Sequence, residues 1–272
     1  MIKKQRGVTL IELMVSMMLG LGLVAGISQL FIQSQKSFRL QQNLSDMTND
    51  ASFILEELAK GVYQAGASKD GKTNFEGDDK KVLSSSTLDF LDTQCDPTIL
   101  TNVKCEYIKG TDNEFVYRFR LSSETELNTF MCNSPLTYRE GDIVTVRIYR
   151  ALDSSTPKIP VFYCKVKQSS DTAKNAEPLI SEVEKLEIHY VVRNKNNENF
   201  ADDDTFYTTT AANITDWKKV IAIKVYLVMR SVDNNLTKNK AKYKIEDTEY
   251  TAIDKRLYKV FSKTIYLRSA DH

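Results

Sequence analysis

Gly7-Val8-Thr9-Leu10-Ile11-Glu12-Leu13 opens an apolar run that continues to about Ile32, and Lys3, Lys4 and Arg6 precede it. From Leu13 to Ile32 no residue is charged. A helix needs ~20 apolar residues to cross a bilayer, and this run is long enough. It is too long for the core of a secretory signal peptide, and no A-x-A cleavage site follows it. The cations on its N-terminal side keep that end cytoplasmic and send the rest of the chain across. Glu12 is the one charge inside the apolar block. A carboxylate there costs roughly 2.5–3.5 kcal/mol to insert and is usually paired. A cut between Gly7 and Val8 creates a partner, because the new amino terminus lies four residues from Glu12, the spacing at which helix side chains share a face. The carboxylate then neutralises its own terminal amine or that of a neighbouring subunit.

Beyond Ile32 the helical signal becomes amphipathic. Leu40, Leu44, Met47, Ala51, Ile54 and Leu58 step by intervals of three and four, which lines them up on one stripe. Gln41, Gln42, Asn43, Asn49 and Asp50 fall largely off it. No proline interrupts Val8 through Gln64. One helix to about Gly61 would run ~80 Å at 1.5 Å per residue. Its first half is membrane-like all round, and its second half needs a domain against its stripe. Within the first half, Gly22 and Gly26 form G-x-x-x-G, and Ser16 and Gly20 a similar pair of small residues that permits close helix approach in lipid.

The 272 residues, 42% hydrophobic, suffice for one long helix and one sizeable globular domain. Loss of residues 1–7 removes three cations and leaves 34 Lys and Arg against 36 Asp and Glu, a net charge of −2. From Val62 onward the two signs balance at 31 each, so no bulk field attracts nucleic acid. Lys238, Lys240, Lys242 and Lys244 form a local basic cluster, but Glu246, Asp247 and Glu249 follow at once. Cys95, Cys105, Cys132 and Cys164 include no C-x-x-C pair, and no histidine lies near them, which argues against zinc. An even cysteine count in an exported domain favours disulfides over free buried thiols. Of the three possible connectivities, the expectation adopted is Cys95–Cys105, a local loop, with Cys132–Cys164.

After Ala65-Gly66 the composition turns to loop residues and then to strands. Alternation predicts strands at Phe115–Leu121, Val144–Tyr149 and Leu186–Val192, and Val161–Val166 is a further candidate. Val220–Met229 is apolar on both faces except Lys224 and reads as a central strand. Leu257–Leu267 closes the domain. One helix followed by strands predicts an α+β fold with antiparallel sheet. No phosphate loop, nucleophile elbow or zinc motif is present, so no enzyme, cofactor or metal is expected. His189 falls on the polar face of its strand and reads as a surface residue. Asp202-Asp203-Asp204 offers oxygen ligands of the kind calcium takes, without EF-hand spacing, and reads as a solvated loop.

Gly7-Val8-Thr9-Leu10-Ile11-Glu12-Leu13 closely resembles the prepilin cleavage motif of type IV pilins and type II secretion pseudopilins. Gly7 before the cut and Glu12 five residues after it match the motif's two defining positions, while Val8 stands where Phe is usual. Trp217–Ser231 and Arg256–Arg268 resemble the C-terminal strands of PilW-type minor pilins, and Leu58–Gly66 resembles their helix exit. The resemblance implies a type IV pilin-like fold: a leader at 1–7, a long helix at 8–66 (transmembrane over 8–32, amphipathic over 33–62) and a β-rich periplasmic head at 67–272. It implies cutting after Gly7 and methylation of Val8 by a prepilin peptidase, with Glu12 registering the subunit during assembly. The implied place is the bacterial inner membrane, crossed once, and then the pilus. The implied role is a minor pilin of the tip or priming complex, with other minor pilins of the PilV, PilX and FimU kinds, the major pilin and a tip adhesin as partners. The alternatives are a GspJ-like minor pseudopilin and a pilus-tip module that binds DNA or surfaces. Mass spectrometry of the protein purified from its native membrane should find an N-terminal methylated Val8. A chain still beginning at Met1 would make it a plain tethered domain.

Overall fold

A computed structural model of the chain describes residues 9–65, 107–120, 132, 143–168, 175–194 and 205–267. Gly7, Val8, Cys95, Cys105 and Asp202-Asp203-Asp204 lie outside the described residues. A single helix, α1, covers Leu10–Tyr63, 54 residues. The chain divides into two compact units, Met1–Asp46 and Met47–His272. In the first, every described side chain from Thr9 to Arg39 is exposed, and its apolar part is long and apolar enough to cross a bilayer.

Among its described residues the second unit holds the remaining turns of α1 and eleven strands in chain order: β1 (Ile108–Gly110), β2 (Glu114–Arg120), β3 (Ile143–Leu152), β4 (Pro160–Gln168), β5 (Glu177–Ser181), β6 (Val183–Asn194), β7 (Thr205–Thr209), β8 (Val220–Arg230), β9 (Lys242–Ile245), β10 (Thr248–Thr251) and β11 (Tyr258–Tyr266). The first five form an antiparallel meander in the order β1-β2-β3-β4-β5. The second sheet, also antiparallel, runs β11-β8-β6-β7. Both sheets and the buried stripe of α1 contribute to one apolar core. The alternating residues anticipated from the sequence fill it: Phe115, Tyr117 and Phe119 from β2, Val144, Val146 and Ile148 from β3, and Leu186, Ile188, Tyr190 and Val192 from β6. Cys164 on β4 is buried in the same core and is joined to Cys132, with the Cα atoms 5.6 Å apart.

The β1–β2 turn ties the two sheets together. The Asp112 carbonyl accepts the Ile188 N–H at 2.8 Å, its carboxylate accepts the Ala211 N–H at 2.9 Å, and the Tyr190 hydroxyl donates to the Thr111 carbonyl at 2.9 Å. At the β5–β6 corner Glu182 adopts φ 61°, a left-handed conformation that a non-glycine residue keeps only when its surroundings hold it. Its carbonyl accepts the Arg230 N–H at 3.0 Å, and its carboxylate takes the Arg230 guanidinium at 2.5 Å.

β8 explains its own continuous hydrophobicity. Ile223, Val225, Leu227 and Met229 face the main core. Tyr226 and Val228 face a second, smaller cluster with Ile245, Tyr243, Tyr250, Tyr258 and Val260. The hairpin of β9 and β10 supplies Tyr243, Ile245 and Tyr250, and so covers the outer face of the second sheet. Tyr243 stacks on Tyr250 and Tyr258, with ring centroids 5.5 and 5.8 Å apart, and the Lys185 ammonium sits 3.7 Å above the Tyr250 ring.

His189 is not the simple surface residue that its place on the polar strand face suggested. The hairpin that covers this face leaves only 12% of its side chain exposed. Its Nε2 lies 3.0 Å from Glu187 and its Nδ1 3.3 Å from Glu246 in the hairpin turn, and its ring meets Tyr226 edge-on. The hydrogen bond from the Tyr226 hydroxyl, followed by Lys224 and the charge of His189, holds the Glu246 carboxyl below its ordinary value of 4.5. Burial pushes Glu187 the other way, but Lys185 and His189 win and lower it. Both carboxyls are more acidic folded than unfolded, so their contribution is complete above pH 4.5 and is lost as pH falls through their folded values. Urea melts should therefore show a decline in stability below about pH 4.5. Glu246→Gln should be less stable at pH 6, by under about 1 kcal/mol for so exposed a group, and should decline less steeply in acid. An unchanged acid slope in that variant would remove Glu246 from the account.

Candidate functional site

The first turn of α1 is closed by Thr9. Its hydroxyl oxygen accepts the Glu12 N–H at 3.3 Å and its carbonyl accepts the Leu13 N–H at 3.2 Å. Thr9-x-x-Glu12 is thus a helix-capping pattern as well as part of the leader motif. An acid in the first turn also complements the positive end of the helix dipole. Glu12 thereby has a local reason to sit where it does, beside the longer-range one. Val8, whose amine is the expected counter-ion, lies outside the described residues.

Further along, the Ser16 hydroxyl turns back onto its own helix and bonds the carbonyls of Glu12 at 2.7 Å and Leu13 at 3.0 Å. That satisfies its polar group inside an apolar segment. Gly20, Gly22 and Gly26 have nothing within 4 Å of where a Cβ would stand. These positions are open for another helix to approach.

The seat of α1 in the second unit is the other half of the site. Met47, Ala51, Ile54, Leu55, Leu58, Gly61 and Val62 are buried. Leu40 and Leu44, the first two members of the expected stripe, are only half-buried, while Leu55 and Val62 join it. At the upper end the contact becomes very close. A Cβ on Gly61 would run into the Tyr117 hydroxyl and ring. That hydroxyl is buried without a hydrogen-bond partner among the described residues, and burial pushes its pKa well above the usual tyrosine value. Along the exposed margin, β11 fastens the helix electrostatically. The Lys263 ammonium bonds the Glu56 carboxylate at 2.5 Å, and Lys259 reaches the Thr48 hydroxyl at 3.3 Å. The Lys263 bond holds the Glu56 carboxyl below its ordinary value. Sequence reading named the stripe but not Gly61, Tyr117, Lys259 or Lys263. The lysines' spacing of four is unremarkable in a strand, and nothing local marks which glycine must meet an aromatic.

Of the basic cluster, Lys242 pairs with Glu249 at 2.8 Å and Lys244 lies 3.6 Å from Asp247. The acids that follow the cluster in sequence fold back across the hairpin and neutralise half of it.

Residues 148–269 match the family model of the type IV pilus-assembly protein W, and residues 2–27 match the prokaryotic N-terminal methylation motif. No curated protein and no solved structure matches the chain. The first match begins within β3 and ends just past β11, so it spans most of the strands around the helix seat. The second covers Gly7, Val8, Thr9 and Glu12. The motif and the exposed apolar helix fit an inner-membrane-anchored pilin.

Gly61→Ala should destabilise the protein by about 2 kcal/mol through overpacking, even though alanine is the better helix former. Tyr117→Phe removes the atom in closest conflict, so the double variant should lose less than the two single changes added together. Denaturant melts of the four proteins form the cycle. Stabilisation by Gly61→Ala alone would mean the close approach is not real.

Proposed function

We propose, from the match of residues 148–269 to the type IV pilus-assembly protein W and of residues 2–27 to the N-terminal methylation motif, that the chain is a minor pilin of the tip or priming complex that starts a type IV pilus. The observation that supports this most is the pairing of the two matches on one chain, a leader motif before an apolar helix and an assembly domain around that helix's buried end. The role is structural rather than catalytic. The prepilin peptidase cuts after Gly7 and methylates Val8. The head stands on the periplasmic side, and the helix holds the subunit in the inner membrane until it passes into the filament. Its neighbours there are other minor pilins, the major pilin and a tip adhesin.

In this reading Glu12 has its main use during assembly. Once buried among apolar helices its charge is costly, and the terminal amine of an adjacent subunit is the counter-ion that relieves the cost. A subunit out of register leaves the carboxylate alone. Glu12→Ala should leave the protein cut at Gly7 and membrane-bound. It should lower its incorporation into sheared filaments about tenfold, which corresponds to ~1.4 kcal/mol of lost pairing. Immunoblots of membrane and filament fractions measure both. Normal incorporation in that variant would count against the registration role, and uncut protein would point instead to a failure at the peptidase.

A further inference from the structure

Two loops meet at one end of the second unit. One joins β8 to β9 and covers residues 231–241. The other joins β10 to β11 and covers residues 252–257. This is the end at which α1 enters, since β11 begins at Tyr258 and the next residue, Lys259, reaches Thr48. Neither loop has regular structure, yet both are pinned. Ser231 and Leu257 exchange backbone and side-chain hydrogen bonds at 2.9 and 3.0 Å, and Arg256 donates to the carbonyls of Ser231 and Val232 at 2.8 and 2.6 Å. Thr237 binds the Lys255 carbonyl through both its N–H at 3.1 Å and its hydroxyl at 2.9 Å.

What this rigid end presents is unusual for a solvent-facing surface. Val232 and Ile253 are 69% and 63% exposed. Lys238, Lys240 and Lys255 are exposed and make no ion pair among the described residues, although Lys242 and Lys244 nearby are both paired. The loops' own acids are Asp233 and Asp254, and Asp254 is engaged by Arg256 and by the Tyr258 hydroxyl. Exposed aliphatic side chains among uncompensated lysines are the chemistry of a surface that rests on anionic lipid, with the apolar groups at the headgroup boundary and the cations on phosphates. The unit is also covalently joined at this end to a helix apolar enough to cross a bilayer. A tether of that kind raises the effective concentration of the membrane at the loops, so that weak attractions suffice.

We propose that this end of the head is a membrane-resting surface, in which Val232 and Ile253 enter the interface of an anionic bilayer and Lys238, Lys240 and Lys255 bind its lipid phosphates. The inference rests on the anchoring of α1 in the inner membrane. The hold is electrostatic in large part and so weakens with salt. It parks the head on the bilayer until assembly lifts the subunit away.

The test uses the full chain in nanodiscs made with acyl-brominated lipid, either phosphatidylcholine alone or phosphatidylcholine mixed with phosphatidylglycerol. The reporter is Ile253→Trp, read against the parent chain, whose single tryptophan, Trp217, is buried. In anionic discs bromine should quench about half or more of the added emission, and much less in zwitterionic discs or after Lys238→Glu, Lys240→Glu and Lys255→Glu are combined. Emission that is equal in both kinds of disc, or unmoved by the charge reversals, overturns the proposal. So does an unquenched reporter whose lysines instead bind an acidic pilus subunit added to the same discs. Co-elution with the discs separates the two levels of the argument. A chain that leaves the discs sinks the anchoring itself, while an unquenched reporter on a chain that stays sinks only the resting surface.

Discussion

A helix that is apolar on every side for its first half and on one stripe for its second must be gripped along that stripe alone. The seven buried residues of α1 between Met47 and Val62 do this. Each large side chain among them gains roughly 1.5–3 kcal/mol on burial, against which stands the cost of ordering it. Position matters as much as area. Gly61 lets the helix backbone come down onto Tyr117, and that contact sets the depth at which the last turns sit. Lys259 and Lys263 then fix the helix along its margin through Thr48 and Glu56. These polar ties lie in solvent and contribute little stability individually. Their use is to set register, which a greasy stripe alone leaves loose.

The second sheet shows how an apolar strand is protected on both sides. β8 sends alternate residues into two different cores, and the hairpin of β9 and β10 exists to roof the smaller one. The roof is held by a charge lattice in which Lys185, Glu187, His189, Lys224 and Glu246 meet. The result is a sheet with one face in the main core and the other under tyrosine rings rather than water.

Much of this was legible in the residues. The α+β class, the unbroken helix and the central place of Val220–Met229 follow from periodicity, because burial on one face or two leaves a direct imprint on composition. β1, β5, β7 and the β9–β10 hairpin were not anticipated. They are short, and the hairpin turns at Glu246-Asp247 rather than at an Asn-Gly or Asp-Gly pair, so it read as charge alone. His189 was misjudged for the same reason, since the segment that covers it is distant in sequence and looks hydrophilic. At the leader the pattern was legible and the methylation-motif match covers it, while the Thr9 cap needed the structure to draw it out.

The helix and the strand that fastens it come from opposite ends of the chain. Thr48 and Lys259 are 211 residues apart, and Glu56 and Lys263 are 207 apart. A chain made from its amino end therefore shows its greasy stripe long before the strand that closes over its edge has been made. Contacts of such long range are slow to form, and the surface waiting for them is prone to wrong associations. Completion of β11 is thus the event that closes the margin of the stripe, and a molecule cut short before it keeps a sticky flank.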